Sequence, residues 1–143
     1  MPETLPPDPV YRFEFTIPAS ALDANGHVNN VQYVQWMQDV AVRHFSSIGG
    51  TAPMRALQAT WVVRAHHIEY LAPAFLDELI EVRTWVANIR RVRSLRRYEF
   101  TRLSDGQLLV RGETEWVFVH AGTGRPLAIP AEVAHILPLL PDP

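Results

Sequence analysis

The densest chemistry in this chain lies in eight consecutive residues, Asp23-Ala24-Asn25-Gly26-His27-Val28-Asn29-Asn30. They place a carboxylate, an imidazole and three carboxamides directly ahead of an apolar stretch with helical spacing. Attack on an acyl carbonyl needs an activated water or a nucleophile, plus donors aimed where negative charge grows on the carbonyl oxygen. Asp23 can supply the first requirement. Amides around Val28, Asn29 and Asn30 can supply the second, because the first N–H groups of a helix lack intrahelical partners and carry partial positive charge.

Other chemistry-bearing residues are weaker pointers. Arg90, Arg91, Arg93, Arg96 and Arg97 crowd eight positions. Guanidinium groups fork well onto phosphates, so this cluster reads either as an anion site or as a solvated strand end pairing with Glu81, Glu99 or Glu113. His66 and His67 point to opposite faces of any strand that contains them, so they do not share a metal. His44 falls on an apolar helical stripe and reads as a satisfied core histidine. No metal site is expected. The 143 residues include no cysteine, and all 13 basic residues are arginine. Thiolate, Schiff-base and Walker-loop chemistry are therefore excluded. No Gly-x-Ser-x-Gly motif occurs, which removes the serine-elbow hydrolases.

The elements that must position the loop follow from periodicity. Tyr11-Arg12-Phe13-Glu14-Phe15-Thr16-Ile17 alternates apolar and polar, a half-buried strand that Pro18 stops. From about 30 to 48, Tyr33, Trp36, Met37, Val40, Ala41, His44 and Ile48 recur at helical spacing, and Gly49-Gly50 ends the run. Val31, Val34, Val42 and Phe45 widen the apolar stripe, so this helix wants to be wrapped. A loop through Pro53 leads to four strand-like segments at 60–71, 78–89, 95–103 and 108–120, with Ser104-Asp105-Gly106 as a hairpin turn. A short final helix is expected within 130–137. One strand, one buried helix and four antiparallel strands predict a two-layer α+β domain over 10–137. A proline-rich arm at 1–9 and a tail at 138–143 flank it.

Composition sets the outer limits. The chain is 48% hydrophobic and 20% charged with net charge −2, globular and without the basic excess of a nucleic-acid binder. No apolar run reaches membrane-spanning length and the N-terminus is no signal peptide, so the expected compartment is cytoplasmic.

The loop 23–33, Asp23 through Tyr33, resembles the signature of hotdog-fold thioesterases of the 4-hydroxybenzoyl-CoA thioesterase-like group, with its Asp-x-x-Gly-x-Val loop leading into a central helix. It is equally similar to plant acyl-carrier-protein thioesterases, whose Asp-x-Asn-x-His-Val-Asn-Asn stretch is matched by Asp23, Asn25, His27, Val28, Asn29 and Asn30. Gly26 stands where the plant enzymes carry a larger polar residue, a departure toward the bacterial CoA type. Those enzymes also hold two hotdog units where this chain has one.

The resemblance implies a five-stranded antiparallel sheet wrapped around one long central helix. It implies hydrolysis of an acyl-CoA thioester without metal or bound cofactor, with Asp23 as general base or nucleophile. Asn25 and His27 would position the thioester and assist at the carboxylate. Glu69 resembles the acidic position on the second strand of the plant family. Substrate contacts are expected from Gly26, Val28, Asn29, Asn30 and Tyr33, and from Arg90, Arg91 and Arg93 on the carrier phosphates. An acyl-carrier-protein substrate is the alternative enzyme reading, and a non-catalytic acyl-thioester binder the alternative of another class. A side-by-side homodimer is implied, often paired again into a tetramer. Apolar residues on both phases of the sheet, Trp85 opposite Val82 and Val86 among them, predict a second face that needs a partner.

Overall fold

The computed structural model describes residues 8–143, so the expected arm at 1–9 lies almost entirely outside the described residues. The chain runs β1 (Tyr11–Thr16), α1 (Asn30–Ser47), α2 (Thr51–Ala56), β2 (Ala59–Tyr70), β3 (Leu79–Ile89), β4 (Arg93–Arg102), β5 (Gln107–His120) and α3 (Ala131–Ala134). The five strands form one antiparallel sheet in the order β1-β3-β4-β5-β2. The α1 helix lies across its inner face.

Alternation assigns the two faces. Ile80, Val82, Thr84 and Val86 of β3 are buried, as are Ser94, Arg96, Tyr98 and Phe100 of β4. Tyr33, Met37, Val40 and Ala41 of α1 close onto this layer. Aromatic edges lock the seam, with Tyr33 meeting Phe100 at 5.1 Å and Trp36 meeting Phe15 at 4.7 Å between ring centroids. Gly112 of β5 sits beneath Met37. A Cβ there would come within 3.1 Å of the Met37 sulfur, so the missing side chain is what lets the helix seat this closely.

The helix runs antiparallel to β2. Its first turn lies at the Tyr70 end, where Tyr33 packs on Tyr70, and its last turns lie at the opposite end, where Phe45 packs on Trp61. The site loop and the last turns of α1 are therefore at opposite ends of the sheet.

Three expectations change. The loop expected through Pro53 instead forms α2, because Pro53 falls in a first turn where its missing N–H costs nothing. The final helix contracts to α3, one turn after Pro130. The outer sheet face is not an apolar patch. Arg83 pairs with Glu81 and Glu99, Arg97 with Glu113 and Asp142, Arg93 and Arg64 with Glu115, and Arg111 with Glu69. Cross-strand register places these opposite charges side by side, so the face is a polar ladder with half-buried Trp85, Leu95 and Val117 among the charges. The segment 138–143 is fastened to this sheet. Leu139 bridges Val86, and Asp142 receives both Nε and Nη2 of Arg97 at 2.7 Å.

Candidate active site at the start of the central helix

The residues between the turn at Ala19–Ala21 and α1 form a closed loop. Leu22 and Val28 face each other as an isolated bridge. The Asp23 amide donates to the His27 carbonyl at 3.0 Å and the Gly26 amide to the Asp23 carbonyl at 3.1 Å. Gly26 adopts φ +81°, which L side chains rarely tolerate, so the expected substrate contact is first of all a turn requirement. The loop is then pinned from both sides, by Val28 N–H to the Ala74 carbonyl and Asn29 N–H to the Ala21 carbonyl, each 2.9 Å.

Within this frame the side chains of Asp23 and His27 approach one another, and Asn25 lies in the turn between them with its backbone amide on Asp23. Asp23 Oδ1 accepts the Asn25 amide at 2.9 Å, which aims the carboxylate without capping the helix. His27 Nδ1 stands 4.0 Å from the same oxygen, and its ring meets Phe75 edge-on. Both side chains are partly exposed, so water and substrate can reach them. The helix cap is Asn29, whose Oδ1 accepts the Val31 amide at 3.0 Å.

The capping geometry corrects the expected oxyanion donors. The Val28 and Asn29 amides are spent on Ala74 and Ala21, and Asn29 also occupies the Val31 amide. Of the expected trio, only the Asn30 amide has no acceptor among the described residues. The Asn30 carbonyl accepts the Tyr70 hydroxyl at 3.0 Å, which ties the helix start to β2.

Other expected site residues lie elsewhere. Val28 and Tyr33 are core residues. The Tyr33 hydroxyl has no partner among the described residues, and burial, with the charge of Glu78, pushes its pKa up to about 12. Glu69 sits on the outer face, opposite in phase to Tyr70, with Oε2 3.2 Å from Arg111 and Oε1 4.0 Å from His67. The chain does not bring it to Asp23. Arg90 and Arg91 are exposed at the β3–β4 turn, and Arg93 is paired with Glu115. The ten steps of β3 carry that turn about 33 Å from its Leu79 end, where the Asp23 loop packs. Within one chain, arginines and carboxylate do not meet. Among the described residues, no three His, Asp or Glu side chains are grouped to hold a metal ion. No helix among them is long and apolar enough to cross a membrane.

Two cavities flank α1 away from the loop. One, of about 460 Å³, is walled by Phe45, Met54, Trp61, Trp116 and Leu137, with Ser94 and Arg96 on its lining. The other, of about 580 Å³, lies against Phe13, Phe15, Trp36 and Arg43. Arg96, one of the five clustered arginines of the sequence, is buried. Its phase, shared with Tyr98 and Phe100, was the signal that it faces inward.

Residues 17–137, which include the loop, α1 and all of β2 to β5, match the family described as the thioesterase-like superfamily. The chain belongs to that superfamily. It is 26% identical over 131 residues to an oleoyl-acyl carrier protein thioesterase of Arabidopsis thaliana, a match covering 86% of this chain and 35% of that protein. It thus spans about a third of the length of the curated relatives it matches. Among solved structures, a Staphylococcus aureus protein in complex with CoA superposes with TM-score 0.83 at 19% identity, covering 99% of this chain and 94% of that one. A 1,4-dihydroxy-2-naphthoyl-CoA thioesterase from Synechocystis gives TM-score 0.79 at 18% identity, covering 89% and 94%. At these identities the structures establish the fold, the hotdog arrangement of sheet and central helix.

Proposed function

We propose that the protein hydrolyses acyl-CoA thioesters, with Asp23 as the catalytic carboxylate. The observation that carries this reading is the Asp23 carboxylate itself, aimed by the Asn25 amide and partly open beside His27 at the start of α1. As general base, Asp23 takes a proton from water while the oxygen adds to the thioester carbon. The oxyanion that forms is met by the Asn30 amide, the donor of the expected trio left without an acceptor. Collapse expels the thiolate, which recovers the proton and leaves a carboxylic acid and free CoA. As nucleophile, Asp23 adds to the thioester carbon and expels the CoA thiolate, and water then opens the resulting mixed anhydride to the acid and the free Asp23 carboxylate. Asn25 and His27 line the approach in either case. Glu69, turned to the other face, takes no part.

The assembly in this reading is a pair of chains joined along β2. Among the described residues this 12-residue strand is hydrogen-bonded to a neighbouring strand on one edge only. Antiparallel pairing with a second copy would lay the Trp61 end of one chain beside the Tyr70 end of the other. The arginine turn of one copy then comes to the catalytic loop of the other, as a shared CoA site requires. Light scattering is expected to show a dimer or tetramer, and a stable 16.2 kDa monomer at micromolar concentration would overturn the assembly.

Acyl carrier protein is the second carrier to test, because the curated relatives above are named for it. Thiol release should be followed across acyl-CoA and acyl-carrier-protein panels of varied chain length. Faster release from CoA thioesters supports the reading, and faster release from the carrier protein replaces CoA as substrate. No release from either would leave a non-catalytic acyl-thioester binder.

A further inference from the structure

A cation is buried at the far end of α1 with no anion to meet it. Arg96 is 4% exposed. Its Nη1 donates to His44 Nδ1 at 2.8 Å and to Thr84 Oγ1 at 3.2 Å, both neutral acceptors. Arginine keeps its proton, so His44 Nδ1 must accept and the imidazole proton sits on Nε2. Nε and Nη2 of Arg96 have no acceptor, and no carboxylate pairs with the guanidinium, among the described residues. Its neighbours behave differently, for Arg93, Arg97 and Arg102 each meet a carboxylate. Buried charges are ordinarily paired, because desolvation without a counter-charge is costly.

The same arginine lines the cavity of about 460 Å³, whose other walls include Phe45, Met54, Trp61 and Trp116. Mostly apolar walls with a few polar groups, here Ser94, Gln58 and the exposed Arg55 besides the buried Arg96, describe a small-ligand site, and the volume is in the usual range. The β2 pairing proposed above would bring a second copy's helix start beside Trp61. An acyl group held at that copy's carboxylate would then extend into this cavity.

We propose that the cavity receives the acyl part of the substrate and that Arg96 binds a carboxylate at its far end. The preferred substrates are monothioesters of dicarboxylic acids. This rests on the thioesterase reading and adds the substrate class to it. The apolar walls bury the chain, and the free guanidinium donors fork onto the terminal carboxylate.

The test compares kcat/KM for CoA thioesters of straight-chain diacids and of monoacids of equal length. Wild type is expected to prefer the diacid series by about 10- to 100-fold, the range of a charge-assisted hydrogen bond. Arg96→Lys should keep most of that preference and Arg96→Met should abolish it. Equal or better hydrolysis of the monoacid series by wild type, or a preference that survives Arg96→Met, overturns the proposal. Should the variants fail to fold, calorimetric titration of wild type with the monomethyl and dimethyl esters of one diacid decides it. The monomethyl ester should bind at least about 10-fold tighter, and equal affinity overturns the proposal. Selective binding without any thioester hydrolysis would sink the thioesterase reading alone. Hydrolysis indifferent to the terminal group would sink only the role of Arg96.

Discussion

The two ends of α1 treat charge in opposite ways. At its start, Asp23 is partly open, and its Oδ1 is aimed by a backbone amide at 2.9 Å. At its end, Arg96 is shut away from bulk water and its recorded partners are the uncharged His44 and Thr84. An accessible, oriented charge is suited to reacting, because water and substrate can reach it. An enclosed and incompletely paired one is suited to recognition, because a ligand that completes it gains more than solvent could offer. In the proposed reading, the contrast separates chemistry from selection along one helix.

The sharpest way to break this contrast is Asp23→Asn. Asparagine keeps the acceptor for the Asn25 amide, so the turn should survive and Tm should move by no more than about 2 °C, as for other surface changes. Activity should fall on the order of 10²–10⁴ with the general base removed. If fresh, folded Asp23→Asn stays within about threefold of wild type, well short of that loss, the carboxylate only shapes the loop.

A second test concerns the enclosed end. Burial, with the Arg96 charge beside it, pushes the His44 pKa down to about 4. The unfolded chain takes up the proton below the ordinary value of 6.5 while the folded chain refuses it down to about 4. His44 therefore contributes its full stability above pH 6.5 and loses about 3 kcal/mol as pH falls through that window. His44→Gln retains an acceptor for Arg96 and should reduce this acid limb, leaving the share of His66, whose pKa burial also lowers. Urea unfolding of both proteins at pH 7.5 and about pH 4.5 measures it, because the onset of protonation at the lowered carboxylates Asp105, Glu115 and Asp142 is common to both. An equal loss in both proteins would mean that His44 is not the group responsible.

The smallest effect is expected at Glu69, the acid on the outer face. Exposed ion pairs are worth about 0–1 kcal/mol, so Glu69→Gln should change stability by less than that and activity by less than about threefold. A loss comparable to that of Asp23→Asn would bring the outer face into the chemistry and erase the division between the two ends.

Local pattern carried the elements well and the contacts between them poorly. Alternation in Tyr11 to Ile17 and helical spacing from Tyr33 to Ile48 were legible because each element buries one stripe. Pro53 read as a loop although a first turn accepts proline, so α2 was missed. The loop motif puts Asp23, Asn25 and His27 within one turn, and the structure has them there. Which amides remained free depended on Ala21 and Ala74, acceptors outside the motif. Arg96 looked like one of five clustered cations, and only its inward phase on β4 separated it from Arg93 and Arg97. The face that Glu69 occupies was not legible for a related reason. Similarity of residue type along a strand does not specify a face, and one step of register changes it.

The doubly pinned loop has a further consequence in time. Its amides at Asp23, Gly26, Val28 and Asn29 are all engaged with backbone carbonyls, and Ala74 ties it to the chain entering β3. Conformational entropy at these positions is surrendered once, when the domain folds, rather than at each catalytic cycle. Arrival of substrate then requires no ordering of the segment that carries Asp23. In the proposed reaction the pace of turnover is then left to ligand exchange and bond making, without a closing step of this loop between them.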